Sequence, residues 1–207
     1  MTATECLRCL QQDIHTVVAA TIDGRGLPAT CAIDVMDCDE SSLYFLTAKG
    51  KGFYRRLKSQ GYLALTGVKG TCTMDSTAVT VRGSVREVGA EGLPRLFDKN
   101  PYMYEIYPTA ASREALTVFQ LYEGTGKWFD LSKKPIERFC FTFGGTEAGM
   151  EGYYITGLCN GCQACGPVCP QGCIDFQTMP AVINQKNCLC CGNCLAVCPQ
   201  GAVIKEG

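Results

Sequence analysis

The chain has 207 residues and a formal net charge of −1, from 19 basic and 20 acidic side chains. So even a balance leaves no electrostatic footprint for nucleic acid, and no apolar run approaches the length of a membrane span. Sixteen cysteines stand out: with no signal-peptide-like apolar run after Met1, the thiols are expected to stay reduced in the cytoplasm and to act as metal ligands rather than disulfides.

In chain order, residues 5–12 read as a short helical start and 15–22 as a β-rich run. The turn Asp23-Gly24-Arg25-Gly26 leads into a second strand over 27–35. A turn over 37–42 precedes a strand over 43–47. Residues 51–59 look helical, with Tyr54 and Leu57 on one side and Arg55 and Lys58 outside. Strands over 62–68 and 78–88, a helix over 89–98, and strands over 116–122, 127–131 and 138–143 complete the front part. Short strands joined by turns, with few helices, predict a mainly β domain: a small barrel with helices packed outside. The glycines at 144, 145, 149 and 152 mark a linker over 144–152 between a front domain of 1–143 and a back module of 153–207.

The back module repeats itself at an offset of 29. Cys159, Cys162, Cys165, Cys169 and Pro170 recur as Cys188, Cys191, Cys194, Cys198 and Pro199, and Gln171-Gly172 recurs as Gln200-Gly201. Each run reads C-x2-C-x2-C-x3-C-P. Cysteines three apart wrap the chain around three corners of a cubane, while the cysteine before the proline serves the other cluster. The expected ligand sets for two 4Fe–4S clusters are therefore Cys159, Cys162, Cys165 and Cys198, and Cys188, Cys191, Cys194 and Cys169. Zinc is the main rival for C-x2-C pairs, but it does not require four cysteines plus proline repeated in register. Residues 153–207 resemble a bacterial two-cluster ferredoxin, a small α+β module. Cys173 and Cys190 lie inside it as extra sulfurs, either small apolar fillers or neighbours that tune the potential. Cys31, Cys72 and Cys140 are expected in the core and Cys38 in an exposed turn; Cys6 and Cys9 form a C-x2-C without a partner pair.

The front part has neither a G-x-G-x-x-G after a strand nor a P-loop. Instead, a strand ends at Thr47, and a basic loop opens a helix with Lys49, Lys51, Arg55, Arg56 and Lys58 and no acid between them. Cations at a helix start make a phosphate site. With the Asp23-Gly24 turn, Val81-Arg82-Gly83 and the segment from Pro101 to Tyr107 before residues 116–121, residues 5–143 resemble the FMN-binding split barrels of the pyridoxamine 5′-phosphate oxidase-like superfamily. The resemblance implies that Thr47 touches the FMN phosphate or ribityl chain and that Lys51 pairs with the phosphate. Tyr54 would pack beside the site, and Arg82 would reach it from a neighbouring strand. Gly52 and Phe53 stand where oxidase members carry an Arg-Lys pair, and Cys31 falls near where many carry an arginine, so pyridoxamine phosphate oxidation is not expected.

Together these features predict a flavin- and iron–sulfur-dependent oxidoreductase in which two 4Fe–4S clusters exchange single electrons with FMN and a small molecule is reduced. No acid–base pair names a catalytic residue; Tyr102, Tyr104 and Tyr107 are the candidate proton donors. The resemblance implies a homodimer whose partner chain completes each FMN site, and an external redox partner protein or small-molecule electron acceptor is expected. The rivals are an electron carrier or regulatory module without its own substrate, and a barrel that holds haem or a deazaflavin. His15, the only histidine, weighs against haem.

Overall fold

The computed structural model describes residues 1–147, 149 and 151–207. They group into two compact units. The first comprises Met1–Thr71, Thr77–Trp128 and Cys140–Glu147, and the second Cys72–Ser76, Phe129–Phe139 and Ala148–Gly207. Among the described residues no helix is long and apolar enough to cross a membrane.

The first unit is built on an eight-stranded sheet. Its strands are β1 (Thr16–Ile22), β2 (Pro28–Asp34), β3 (Asp37–Cys38), β4 (Leu43–Ala48), β5 (Tyr62–Lys69), β6 (Thr77–Gly89), β7 (Leu116–Asp130) and β8 (Glu137–Phe143). They run in the order β2-β1-β5-β6-β7-β4-β3, with β8 added to β7. The sheet curls until β2 and β4 come into contact. Alternation along β4 explains the curl's two sides: Leu43, Phe45 and Thr47 are buried on one face. On the other, Tyr44, Leu46 and Ala48 pack against Leu93, Leu96 and Phe97 of helix α3. Helix α1 (Ala3–Arg8) runs into a π-helical turn over Cys9–Ile14, α2 (Gly52–Gln60) follows β4, and α3 (Leu93–Lys99) is followed by two single turns, α4 (Met103–Ile106) and α5 (Ala110–Arg113). Inside the curl, Phe45 stacks on Phe119 at 5.9 Å and meets Phe53 of α2 at 6.1 Å. Burying each such ring is worth roughly 1.5–3 kcal/mol. The buried Asp37 carboxylate is held by Arg95 and Lys99 of α3.

The strand reading departs from the structure at one place with a clear cause. Residues 123–126 (Glu-Gly-Thr-Gly) look like a turn between two strands, yet β7 is continuous through them. The glycines are there for close approach: a Cβ on Gly124 would overlap the Arg82 carbonyl, and one on Gly83 of β6 would overlap the Glu123 carbonyl. The two backbones touch where they cross. The cysteines also sort differently: Cys72 and Cys140 are exposed, Cys31 and Cys38 half-buried, and Cys6 and Cys9 buried. Burial pushes the Cys6 thiol up to about 12.

The second unit pairs β9 (Gly152–Ile155) with β12 (Val203–Glu206) and β10 (Ile174–Asp175) with β11 (Val182–Ile183), both antiparallel, with one short helix, α6 (Asn193–Val197). Its buried core is Tyr153, Ile174, Ala181, Ile183 and Val203 together with Cys173, Cys188 and Cys194. Five apolar residues are little for a unit of this size, and sulfur fills the rest.

Gly83→Ala should destabilise the first unit by about 2–3 kcal/mol, because backbone rather than a side-chain tip must move. Its urea midpoint should fall while Gly24→Ala, at an open turn where a Cβ would meet nothing within 4 Å, leaves it nearly unchanged.

Candidate functional site

The second unit contains two sulfur-lined cavities on one repeated backbone. Left-handed residues recur at the 29-residue offset: Gly161 (φ 74°) and Cys190 (φ 54°), Gln163 (59°) and Gly192 (83°), Gly172 (56°) and Gly201 (57°). Each reversal turns the loop back on itself, so cysteines three apart point to a common centre. The hydrogen bonds repeat as well. The Cys173 N–H donates to Cys169 Sγ at 3.4 Å, and the Ala202 N–H donates to Cys198 Sγ at 3.3 Å.

Cys159, Cys162 and Cys165 line the first cavity together with Cys198 from the other repeat. Cys188, Cys191 and Cys194 line the second, together with Cys169 from the first repeat. The atom-free space, open solvent included, is about 360 Å³ and 340 Å³, so the two are similar in size. The crossing cysteines are the ones best prepared as thiolates. Burial raises both thiols, but N–H groups of Ala202, Gln200, Val203 and Gly201 aimed at Cys198 bring it below the ordinary thiol value. Those of Cys173, Gln171 and Gly172 do the same for Cys169. Among the described residues no group of three or more His, Cys, Asp or Glu that could hold a metal ion is found, and all sixteen cysteines are free thiols.

In the first unit, the cationic run divides over the two sides of α2 by simple helix phase. Lys51 is the N-cap and offers no side-chain acceptor to the first turn. Gly52, one turn before Arg56, leaves a gap over the helix start: a Cβ there would sit 3.1 Å from Arg56 Nη1 and 3.9 Å from Arg55 Nη2. Arg56 Nε donates to Thr21 Oγ1 at 2.7 Å. Burial raises the nearby Cys31 thiol, and the charges of Arg56 and Lys51 oppose that rise. Lys51, Arg55 and Arg56 thus surround a helix N-terminus; among the described residues no hydrogen bond from them to a carboxylate is seen, although the Arg56 charge reaches the Asp23 carboxyl. The cradle fits a phosphate.

On the other side of α2, Lys58 pairs with Glu87 at 2.9 Å, the Tyr54 hydroxyl donates to Glu87 at 3.4 Å, and the Thr117 hydroxyl donates to it at 2.7 Å. Burial raises the Glu87 carboxyl, but these partners hold it below the usual carboxylate value. Thr47 is buried directly opposite Thr117 in the β4–β7 register. The structure therefore brings Lys51 together with Arg55 and Arg56, it groups Tyr54 with the Glu87 carboxylate, and it leaves Thr47 buried opposite Thr117. Arg82 is exposed on the outer face of the sheet, in line with Ala64, Ala20 and Thr30, and its Nε reaches Thr125 Oγ1 at 3.4 Å. Thr21 and Cys31 alternate with that row and face inward. Arg55 and Arg56 are the residues the sequence reading left without a role, although the acid-free run contained them.

The candidate proton donors are engaged elsewhere. Tyr102 donates to Asp34 at 2.9 Å and lies 2.9 Å from His15 Nε2; burial and the Asp34 carboxylate push its phenol up, which makes it a poor acid at neutral pH. Tyr104 donates to Asp98 at 3.0 Å, and Tyr107 packs against the α3 core.

No protein-family model and no curated protein matches the sequence. Solved structures match the fold. A NimC/NimA family protein from Clostridium acetobutylicum superposes with TM-score 0.56 at 15% identity, over 67% of this chain and 90% of that one. A heme-binding protein from Mycobacterium smegmatis does so with TM-score 0.55 at 14% identity, over 72% of this chain and 62% of that one. A protein related to general stress protein 26, of the pyridoxinephosphate oxidase family, also from Clostridium acetobutylicum, gives 0.51 at 15% identity, over 67% and 94%. At these identities the likeness is one of fold: the chain is mainly β, with the curled antiparallel half-barrel sheet of the split-barrel proteins.

Proposed function

We propose that this chain is an iron–sulfur flavoprotein of the oxidoreductase class, with a ferredoxin-type module over its second cysteine-rich unit and FMN on the barrel. The observation that carries the reading is the exchange of the fourth cysteine between repeats, which gives each cavity four sulfurs around a multi-atom space. When bound, two 4Fe–4S clusters would supply one-electron transfer and FMN the two-electron store. The chain's own contributions are separable. Eight cysteines would bind the iron, and backbone N–H groups after Cys169 and Cys198 would hold those two sulfurs as thiolates. Lys51, Arg55 and Arg56 would bind a phosphate group at the start of α2. Flavin is favoured over haem because the sole histidine, His15, is bound to Tyr102 and sits apart from the cationic cradle in its hydrogen bonding.

A homodimer belongs to this proposal. Val18, Ile22, Tyr62 and Val68 are exposed hydrophobics on the outer face that also carries Arg82, a face that a second copy would cover. Arg82 would then serve the partner's phosphate site rather than that of its own chain. An external redox protein or a small-molecule acceptor completes the scheme, and no catalytic residue is assigned.

Protein purified without air should contain about eight iron and eight sulfide per chain, with released FMN identified by its spectrum. Zinc, or no inorganic sulfide, would overturn the cluster reading, and released haem would overturn the flavin reading. Cys198→Ser should halve the iron and sulfide while the cluster at Cys188, Cys191 and Cys194 survives, because its fourth ligand is Cys169. For the cradle, replacing Lys51 and Arg56 together by alanine removes two charge-assisted contacts of about 1.5 kcal/mol or more each. FMN affinity, followed by flavin fluorescence, should fall at least about a hundredfold.

A further inference from the structure

The two cavities share a backbone but not their surroundings. Where the first loop has Gly161, the second has Cys190, and where the second crossing cysteine is followed four residues on by Ala202, the first is followed by Cys173. The backbone at Cys190 stays left-handed, at φ 54°, a conformation that is strained for a residue with a Cβ and that Gly161 adopts freely. A strained side chain is a reason to ask what it holds. Cys190 Sγ accepts a hydrogen bond from Arg138 Nη1 at 2.6 Å, and the same nitrogen lies 3.5 Å from the Cys188 carbonyl oxygen. Arg138 is fixed in turn by its own N–H, which donates to the Lys186 carbonyl at 2.7 Å. The Cys173 thiol lies 3.4 Å from Cys169 Sγ, inside the buried core.

We infer that Arg138, Cys190 and Cys173 make the two sites electrically unequal, so that the site of Cys169, Cys188, Cys191 and Cys194 accepts an electron before the site of Cys159, Cys162, Cys165 and Cys198. This rests on the iron–sulfur reading above. Reduction adds one negative charge to a site. A permanent guanidinium charge and extra S–H donors beside the ligating sulfurs stabilise that added charge, and so raise the potential of the second site. Passing the electron from the first site to the second oxidises one and reduces the other, and requires no proton. Arg138 is a positioning residue here: it acts through charge and through Cys190, without ligating anything.

The test is an anaerobic titration of the full chain with dithionite and redox mediators, followed by electron paramagnetic resonance. Wild-type protein should show two separate one-electron waves. Arg138→Leu should lower the upper wave by about tenfold in electron partition, about 59 mV for a one-electron couple, and leave the lower wave in place. Arg138→Lys, which keeps the charge, should shift the upper wave less. Cys173→Ala, which installs the other repeat's residue, should move that wave in the same direction and provides an independent reading if Arg138→Leu fails to assemble. Coincident waves in the wild type, or a shift confined to the lower wave, would overturn the inference. Protein lacking iron and sulfide would instead defeat the functional reading beneath it.

Discussion

The second unit is held to its shape by a crossing: Cys198 reaches back to the first loop's cavity and Cys169 forward to the second's. Without that exchange each loop would present three sulfurs and an open corner. With it, neither half can assemble alone, because each lends its last cysteine to the other. The need for such a stitch follows from the core. Three of its eight buried residues are cysteines, and short strands of two and four residues add little cohesion of their own. On the proposed reading the free energy of iron binding is also folding free energy, as in other small metal-dependent units. The proline after each crossing cysteine, Pro170 or Pro199, fits this role by removing a backbone donor that would compete where the sulfur must turn inward.

The barrel's candidate site depends on a different constraint, the separation of charges on one short helix. Five cations in ten residues repel one another unless each finds a counter-charge or an anion. Helix phase sends Lys58 to Glu87, where a half-buried carboxylate, two hydroxyls and an ammonium satisfy one another. Arg56 donates to the neutral Thr21 hydroxyl and its charge reaches one carboxylate, Asp23, so that with Lys51 and Arg55 a net positive charge remains over the helix start. That surplus, and not the total number of lysines, makes the N-terminal end of α2 attractive to a phosphate.

What could be read in advance divides along the same physical line. Cysteine spacing is a local property of a loop, so the two groups of four cysteines that line the cavities were legible from the positions of cysteine and proline alone. Strand alternation is nearly as local, and most of the sheet was legible. Contacts made across the fold were not. Tyr54 looked like a site residue, yet Glu87 comes to meet it from 33 residues further along, on a strand whose register no local pattern fixes. Arg82 lies on the outer face because of pairing with Ala64 and Ala20, and a single-residue slip would have turned it inward. The glycines of 123–126 carried a turn signal whose real cause, contact with Gly83 some forty residues earlier, is invisible to any window.

Arg138 sharpens the point, because it belongs to neither repeat. It comes from Phe129–Phe139, a stretch from the end of β7 to the start of β8 that groups with the second unit. Two further bonds fasten that stretch: the Ile136 N–H donates to Gln171 Oε1 at 2.8 Å, and Asn187 Nδ2 donates to the Ile136 carbonyl at 3.0 Å. A tandem repeat copies its own surroundings along with its ligands, so its two sites begin alike. Substitutions within the repeat, Cys190 for glycine and Cys173 for alanine, can then differentiate them only by the modest dipole of a thiol. A full charge beside one site and not the other has to enter from outside the repeat, and the excursion through Arg138 supplies it. A fragment cut at the apparent linker would keep all eight cavity-lining cysteines and lose the cation that distinguishes one cavity from the other. The second unit is therefore not a self-sufficient appendage, since the electrical difference between its cavities is written upstream of the linker.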